Sequence, residues 1–307
     1  MPNELASNAV MLRGNTLMIY GGTGVPFGET CSNQLYICNV NDGTMKIVPA
    51  TGELPEPQYG QRDFRALVYH SSYLYTVGGT TGYEYTCDIH RFDLKNGVWE
   101  MVYVCSGKDE SEPHGRYRHE LAFDGKMIYV LGGGTSSESY GFLKIPAFDL
   151  ETNSWRTLNT QGDNDITAVP EPRRCHGSVQ YTDERSGVTS VFISGGYNGD
   201  WVFSDVWRLD LSTLQWTCLR ECILPYPVYF HSAALIPEGR MYIFGGIVKV
   251  QRTNAVYSAW LTIPKLSEIC WQALNYYYPK LKDYSPDKLL DIGIPLKFVQ
   301  RLDFYDQ

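Results

Sequence analysis

Apolar positions along this chain come in short bursts, each closed by two glycines. Leu17–Gly22 reads LMIYGG, Leu74–Gly79 LYTVGG, Ile128–Gly133 IYVLGG, Val191–Gly196 VFISGG and Met241–Gly246 MYIFGG. Such runs have the length of strands, and a glycine pair ends a strand where the backbone needs positive φ or close approach. The five pairs recur 50 to 63 residues apart, the period of a repeated supersecondary unit.

Two further segments keep step with the glycines. Upstream lie GRYRHELAF at Gly115–Phe123, PRRCHGSV at Pro172–Val179 and PVYFHSAAL at Pro227–Leu235, with weaker copies at Asn3–Ser7 and Pro57–Gln61. Downstream, Phe92 leads to Trp99, Phe148 to Trp155 and Leu209 to Trp216; Cys38 and Met45 hold these slots in a degenerate first repeat. Turn signals such as Lys95-Asn96-Gly97 and Glu151-Thr152-Asn153 separate about four strands per repeat. Glycine pairs coordinated with a spaced aromatic and tryptophan resemble the kelch family over residues 1–263. The resemblance implies an all-β kelch-type β-propeller, with the glycines and tryptophans as scaffold. The first repeat opens at what reads as an innermost strand, and the fifth never reaches its tryptophan. The preferred reading is therefore five repeats of an incomplete six-bladed ring, over a five-bladed ring closed with strain.

Residues 264–307 carry a different pattern. Leu266, Ile269, Cys270, Ala273 and Leu274 recur at helical spacing and predict a helix of about three turns with one apolar face, ended by Tyr276-Tyr277-Tyr278-Pro279. Ser285 is a candidate N-cap with Pro286 at the first helical position of a second segment, and Pro295 should break that segment into two short helices. The plain expectation for this tail is a helical cap on the last blade.

Composition narrows the function. The 307 residues include 23 tyrosines, 29 glycines and 16 prolines, in keeping with many short strands. A net charge of −8 disfavours nucleic acid as a partner. No apolar run is long enough for a membrane-spanning helix, and the opening MPNELASN lacks the pattern of a secretory signal. The eight cysteines are scattered, with no zinc-site spacing, and are expected to be reduced thiols of a cytoplasmic or nuclear protein. No nucleophile elbow or phosphate loop occurs, so no enzyme, metal site or cofactor is expected. A copper-radical kelch oxidase is the less favoured enzymatic alternative, because no spacing singles out ligands.

Leu266-x3-Cys270-x3-Leu274 resembles the box by which substrate receptors bind elongin C, with Lys265 where that box has a small residue or proline. Ser285–Ile292 resembles the cullin-contacting box that comes after it. GGTGVPFGE at Gly21–Glu29, GGTTGY at Gly78–Tyr83, RYRHE at Arg116–Glu120, RRCH at Arg173–His176, GGYNG at Gly195–Gly199 and PVYFH at Pro227–His231 are similar to kelch-type substrate receptors of elongin–cullin ubiquitin ligases. The resemblance implies elongin B/C and a cullin as partners, and recognition of protein C-termini, often ending in glycine. A carboxylate needs fixed cationic or hydroxyl donors. Positions just before each innermost strand and just after each glycine pair should reach one channel mouth. They supply Arg118 and Arg174 as charge partners, with Arg116 and Arg173 as second choices. Tyr59, Tyr117, Tyr197, Tyr229 and Phe230 would form the walls. His119, His176 and His231 read as core residues. The alternative is a kelch interaction scaffold, for example an actin-associated one, with no ligase role.

Overall fold

The computed structural model describes residues 8–24, 32–55, 67–81, 83–183 and 186–302. Two compact units divide the chain: Met1–Leu235 with Met241–Ala259, and Ile236–Arg240 with Trp260–Gln307.

The first unit is a β-propeller of five blades, each an antiparallel meander. Blade one is β1 (Ala9–Arg13), β2 (Thr16–Tyr20), β3 (Leu35–Asn39) and β4 (Met45–Ile47). The short β5 (Thr51–Gly52) then adds in parallel to the outer strand of blade two, which is β6 (Leu67–His70), β7 (Tyr73–Thr80), β8 (Tyr85–Asp93) and β9 (Val98–Tyr103). Blade three is β10 (Glu120–Phe123), β11 (Met127–Leu131), β12 (Lys144–Asp149) and β13 (Ser154–Asn159). Blade four is β14 (Gly177–Thr182), β15 (Thr189–Ser194), β16 (Val206–Asp210) and β17 (Gln215–Cys218). In blade five, β18 (Ser232–Leu235) and β19 (Arg240–Phe244) join β22 (Val256–Trp260), and a small hairpin of β20 (Ile247–Val248) and β21 (Gln251–Arg252) lies between.

The spaced aromatic and tryptophan sit directly opposite each other on the two outer strands: Phe92 faces Trp99, Phe148 faces Trp155, Leu209 faces Trp216, and Cys38 faces Met45. Strand alternation puts both members of a pair on one face, and that face packs on the preceding blade. Trp99 lies 5.1 Å from the Tyr20 ring of blade one. Trp216 lies 5.5 Å from Phe142 of blade three and donates its Nε1 to the Phe142 carbonyl. The apolar core is therefore a series of layers between neighbouring blades. Each buried aromatic contributes roughly 1.5–3 kcal/mol through removal from water.

The glycine pairs are dictated by the next blade. Gly132 has φ 58° and Gly133 φ 79°. A Cβ on Gly132 would lie 2.6 Å from the Arg173 carbonyl and 2.9 Å from the His176 ring. The N–H of the second glycine uses that same carbonyl: Gly79 donates to Arg116, Gly133 to Arg173 and Gly196 to Val228. These three pairs are thus stitches between blades two and three, three and four, and four and five.

One expectation about the thiols is corrected. Cys87 and Cys105 form a disulfide, with Cα atoms 5.9 Å apart, whereas Cys38, Cys175, Cys218, Cys222 and Cys270 are free. The register explains it: Ile89 pairs with Tyr103, so the next outward pair on the same face of β8 and the chain leaving β9 is Cys87 with Cys105. Cys31 lies outside the described residues.

The second unit holds α1 (Leu266–Tyr277), a 3-10 turn (Pro279–Asp283), α2 (Pro286–Asp291) and α3 (Leu296–Val299). The Ser285 side chain accepts from the Lys288 N–H, and Pro295 separates α2 from α3, as the sequence predicts. Trp271, Leu281, Leu289, Ile294, Phe298 and Val299 form a small core of this unit's own.

Candidate functional site

The segments that lead into β10, β14 and β18 align residue for residue on His119, His176 and His231. Three positions before the histidine stand Arg116, Arg173 and Val228, whose carbonyls take the glycine stitches. Next come Tyr117, Arg174 and Tyr229. Each pairs in both directions with the residue after its own blade's glycine pair: Gly134, Tyr197 and Ile247 respectively. Then come Arg118, Cys175 and Phe230, all in the left-handed region at φ 58°, 57° and 60°. A non-glycine residue there costs on the order of 1–3 kcal/mol. A ladder across three blades holds them, with Cys175 N–H donating to the Arg118 carbonyl and Phe230 N–H to the Cys175 carbonyl. These positions sit where the inner strands begin, at one mouth of the propeller.

The arginines at this mouth divide into two groups. Arg173 is fully buried and spent on structure: it pairs with Asp205 at 2.5 and 3.0 Å and donates to the Gly195 and Glu171 carbonyls. Arg116 donates to the Gly132 and His114 carbonyls and lies 4.3 Å over the Tyr140 ring. Burial lowers its pKa to about 10. Arg174 caps the loop of blade three, donating to the Thr135 carbonyl at 2.6 Å and to that of Glu138 at 2.9 Å. Arg118 differs from all three. Its guanidinium lies 4.5 Å over Tyr117 and 4.6 Å over Phe230, and its Nε, like that of Arg174, is buried without a hydrogen-bond partner among the described residues. Among the described residues no carboxylate pairs with it.

Aromatic rings connect these cations. Tyr197 stacks on Tyr229 at 5.3 Å, Tyr229 contacts Phe230 at 5.0 Å, and Arg174 lies 5.5 Å over Tyr197. Tyr117 contacts Tyr85 at 5.2 Å. Burial raises the Tyr117 phenol pKa, while the charge of Arg118 opposes that shift, so its hydroxyl stays neutral. Tyr197 donates its own hydroxyl to the Gly199 carbonyl and serves as a wall. The structure thus brings together six of the seven residues named from the sequence; Tyr59 lies outside the described residues. Sequence reasoning missed Tyr85, which also accepts the Ser136 N–H, and Asp205, which neutralises Arg173.

The three histidines are core residues. Burial, reinforced by Arg116, pushes the pKa of His119 down to about 3, and burial pushes that of His231 to about 4. His176 is held well below its ordinary value by burial and by the charge of Arg173. Where the inner strands end, a cavity of about 660 Å³ is lined by Arg13, Leu17, Tyr69, Phe123, Gln180 and Leu235 among others. None of the residues named from the sequence lines it. Among the described residues no group of three or more His, Cys, Asp or Glu is placed to hold a metal ion.

In the tail, most of the apolar face of α1 stays out of the unit's core, contrary to the ordinary fate of such a face. The residues α1 buries are Glu268 and Trp271. Trp271 stacks on Phe298 at 5.1 Å, and Glu268 takes two hydrogen bonds from Arg301. Leu274 is half-buried against the same cluster. Leu266 is 74% exposed, and Ile269, Cys270 and Ala273 are exposed beside it.

Comparison with known proteins agrees with this architecture. A family model described as the KLHDC2/KLHL20/DRC7 Kelch-repeats domain matches residues 4–223 and again 119–276. The chain is 44% identical to the kelch domain-containing protein 10 homolog of Drosophila melanogaster, over 98% of its own length and 52% of that relative. It is 43% identical to kelch domain-containing protein 10 of Xenopus laevis and 41% identical to that of Homo sapiens, again over 98% of its own length. It spans 71% and 66% of those two relatives. Five blades, their register and these identities agree that the chain belongs to the kelch domain-containing protein 10 family of kelch-repeat proteins.

Proposed function

We propose that this kelch interaction module is the substrate-recognition part of an elongin–cullin ubiquitin ligase. In this reading the mouth around Arg118 binds the C-terminal carboxylate of a target protein, and the exposed face of α1 binds elongin C. The kelch repeats and the relatives support the interaction module itself. The finer reading rests on one observation, the Arg118 guanidinium held between two aromatic rings without a carboxylate partner among the described residues. A cation fixed this way is preorganised for a planar anion and loses little entropy on binding. In this reading the neighbouring rings of Tyr117, Tyr197, Tyr229 and Phe230 form the walls around a chain end with a small last residue, such as glycine. Leu266 and Cys270 on an exposed apolar face support the elongin contact.

The test is a pair of binding measurements. Peptides with a free C-terminal glycine should bind with micromolar or better affinity, and their C-terminal amides should not. Elongin B/C should be retained when the tagged chain is purified from cells. Equal binding of acid and amide, with no elongin retained, would leave a plain interaction scaffold as the better description.

A further inference from the structure

We infer that the Cys87–Cys105 disulfide is a redox clasp on the loop that delivers Tyr117 and Arg118 to the mouth. The inference deepens the proposed function, because it concerns the regulation of that same site.

The clasp lies at the base of the loop. Cys105 begins the segment that runs through Ser106–Gly115 to Arg116, and the bond to Cys87 anchors that start to β8. Thr86, adjacent to Cys87, accepts the Arg116 N–H at 3.1 Å and anchors the end. Tyr85, one residue further, packs its ring on Tyr117. A Cβ on Gly115 would collide with the Tyr85 carbonyl, so loop and strand are in close backbone contact. Loop and strand therefore meet at the disulfide at the loop's start and at the Arg116–Thr86 hydrogen bond at its end, and the next residues along the chain are Tyr117 and Arg118. Inside the loop, the Glu112 carboxylate collects the N–H groups of Ser106 and Gly107 and the Tyr103 hydroxyl. That organises the loop's first turn but does not tie it to β8. Cys105 N–H to Asp88 Oδ1 at 2.7 Å is what remains on that side once the bond opens.

The bond is open to exchange chemistry. Both cysteines line a cleft of about 600 Å³, where Cys105 is half-buried and Cys87 is buried. Cys105, the less buried of the two, is therefore the one an incoming thiolate reaches first. A dithiol reductant attacks Cys105 Sγ and forms a mixed disulfide. Cys87 leaves as a thiolate and takes up a proton. The reductant's second thiolate then closes on its own bound sulfur and releases Cys105, which is protonated in turn. Two electrons pass from the dithiol to the protein, which ends as two thiols. Glutathione disulfide accepts the two electrons in the reverse direction. A disulfide in a protein of a reducing compartment is characteristically transient and redox-sensing.

Opening the bond restores conformational freedom to the loop's start. The position of Arg118 is then less well fixed, and binding weakens. The test uses the folded chain in two states, oxidised with glutathione disulfide and reduced with dithiothreitol. Hydrogen exchange of the amides in 104–118 should be slower in the oxidised state. A C-terminal-glycine peptide should bind about fivefold or more tightly to that state, equivalent to about 1 kcal/mol. A Cys87→Ser/Cys105→Ser variant should match reduced protein and ignore dithiothreitol. Identical exchange in both states overturns the clasp. Redox-dependent exchange with no peptide bound by either state supports the clasp and sinks the binding site instead. Because reduction is applied to wild-type protein, the result does not depend on the variant folding.

Discussion

The Arg118 guanidinium of blade three lies 4.6 Å over the ring of Phe230, which belongs to blade five. The contact passes above Cys175 of the blade between them, whose N–H and carbonyl join the two backbones. Arg118→Gln keeps the stem and removes the charge. A charge-assisted hydrogen bond contributes about 1.5–3 kcal/mol, so free-acid peptides should bind roughly 10- to 100-fold more weakly. Arg118→Lys keeps the charge without the planar stack and should fall between the two. Thermal stability should change little, since the guanidinium makes no hydrogen bond among the described residues. Peptide titration by calorimetry with a parallel melting curve measures both, and undiminished binding by the glutamine variant removes Arg118 from the site.

Arg173 should behave in the opposite way. It is completely buried, and Asp205 is its one carboxylate partner among the described residues. Asp205→Ala leaves that cation unpaired in the interior, at a cost of about 3 kcal/mol, moderated because Asp205 itself is one-third exposed. Denaturant titration should show the loss. An unchanged midpoint would mean that the carbonyls of Gly195 and Glu171 suffice to hold the charge.

The glycine stitch gives a contrast between two substitutions of the same kind. Gly132→Ala places a methyl 2.6 Å from the Arg173 carbonyl on a backbone at φ 58°. Gly187→Ala meets nothing within 4 Å at φ 71°. The first should cost about 2–4 kcal/mol, from strain plus separation of two blades. The second should cost about 1 kcal/mol, from the left-handed backbone alone. Comparable losses in the two variants would show that the inter-blade contact is unimportant.

Legibility followed chemistry that repeats. The pairing of Phe92 with Trp99 and of Phe148 with Trp155 could be read from spacing, because the same two-strand register recurs in the first four blades. The lead-in segments were equally legible, and the histidines align them. What the sequence did not separate was Arg118 from Arg174. Aligned on the histidines, Arg174 occupies the slot of Tyr117 and Tyr229, which faces the loop beyond the glycine pair. Its donors accordingly close on Thr135 and Glu138. The Cys87–Cys105 bond escaped because spacing alone does not reveal which residues face each other across a ladder with a bulge. On α1, apolar spacing identified a face but not whether it was buried. Trp271 and the Glu268–Arg301 pair fill the small core and leave Leu266 and Cys270 outside.

Stability should fall as the solution is acidified. His119 and His231 have folded-state pKa values near 3 and 4 because burial disfavours the cation, and His176 is shifted the same way. In the unfolded chain each protonates near pH 6.5. Above that pH neither state binds the protons and the full stability is present. Between about pH 6.5 and 4 the unfolded chain takes them up and the fold does not, so stability falls by about 1.4 kcal/mol per pH unit per histidine. Denaturation midpoints at pH 7.5, 6 and 5 should decline with a slope approaching three protons. A flat profile would mean that these histidines are solvated or protonated in the fold.

The tail yields the sharpest separation of function from folding. Leu266 and Cys270 are exposed on α1, so Leu266→Asp and Cys270→Asp remove nothing from the core and should shift stability by no more than about 0.5 kcal/mol. Aspartate near the first turn of a helix is also electrostatically compatible with it. If the exposed face binds elongin C, both variants should lose elongin B/C on purification while still binding free-acid peptides at the mouth. Trp271→Ala is the counterpart. It empties the centre of the Trp271, Leu281 and Phe298 cluster, at a cost of about 3–5 kcal/mol to the tail, and should lose elongin B/C together with the tail's ordered helices. Circular dichroism at 222 nm distinguishes the two routes, because the aspartate variants keep the helical signal and the alanine variant does not. Retention of elongin B/C by both aspartate variants would show that this face is not the docking surface.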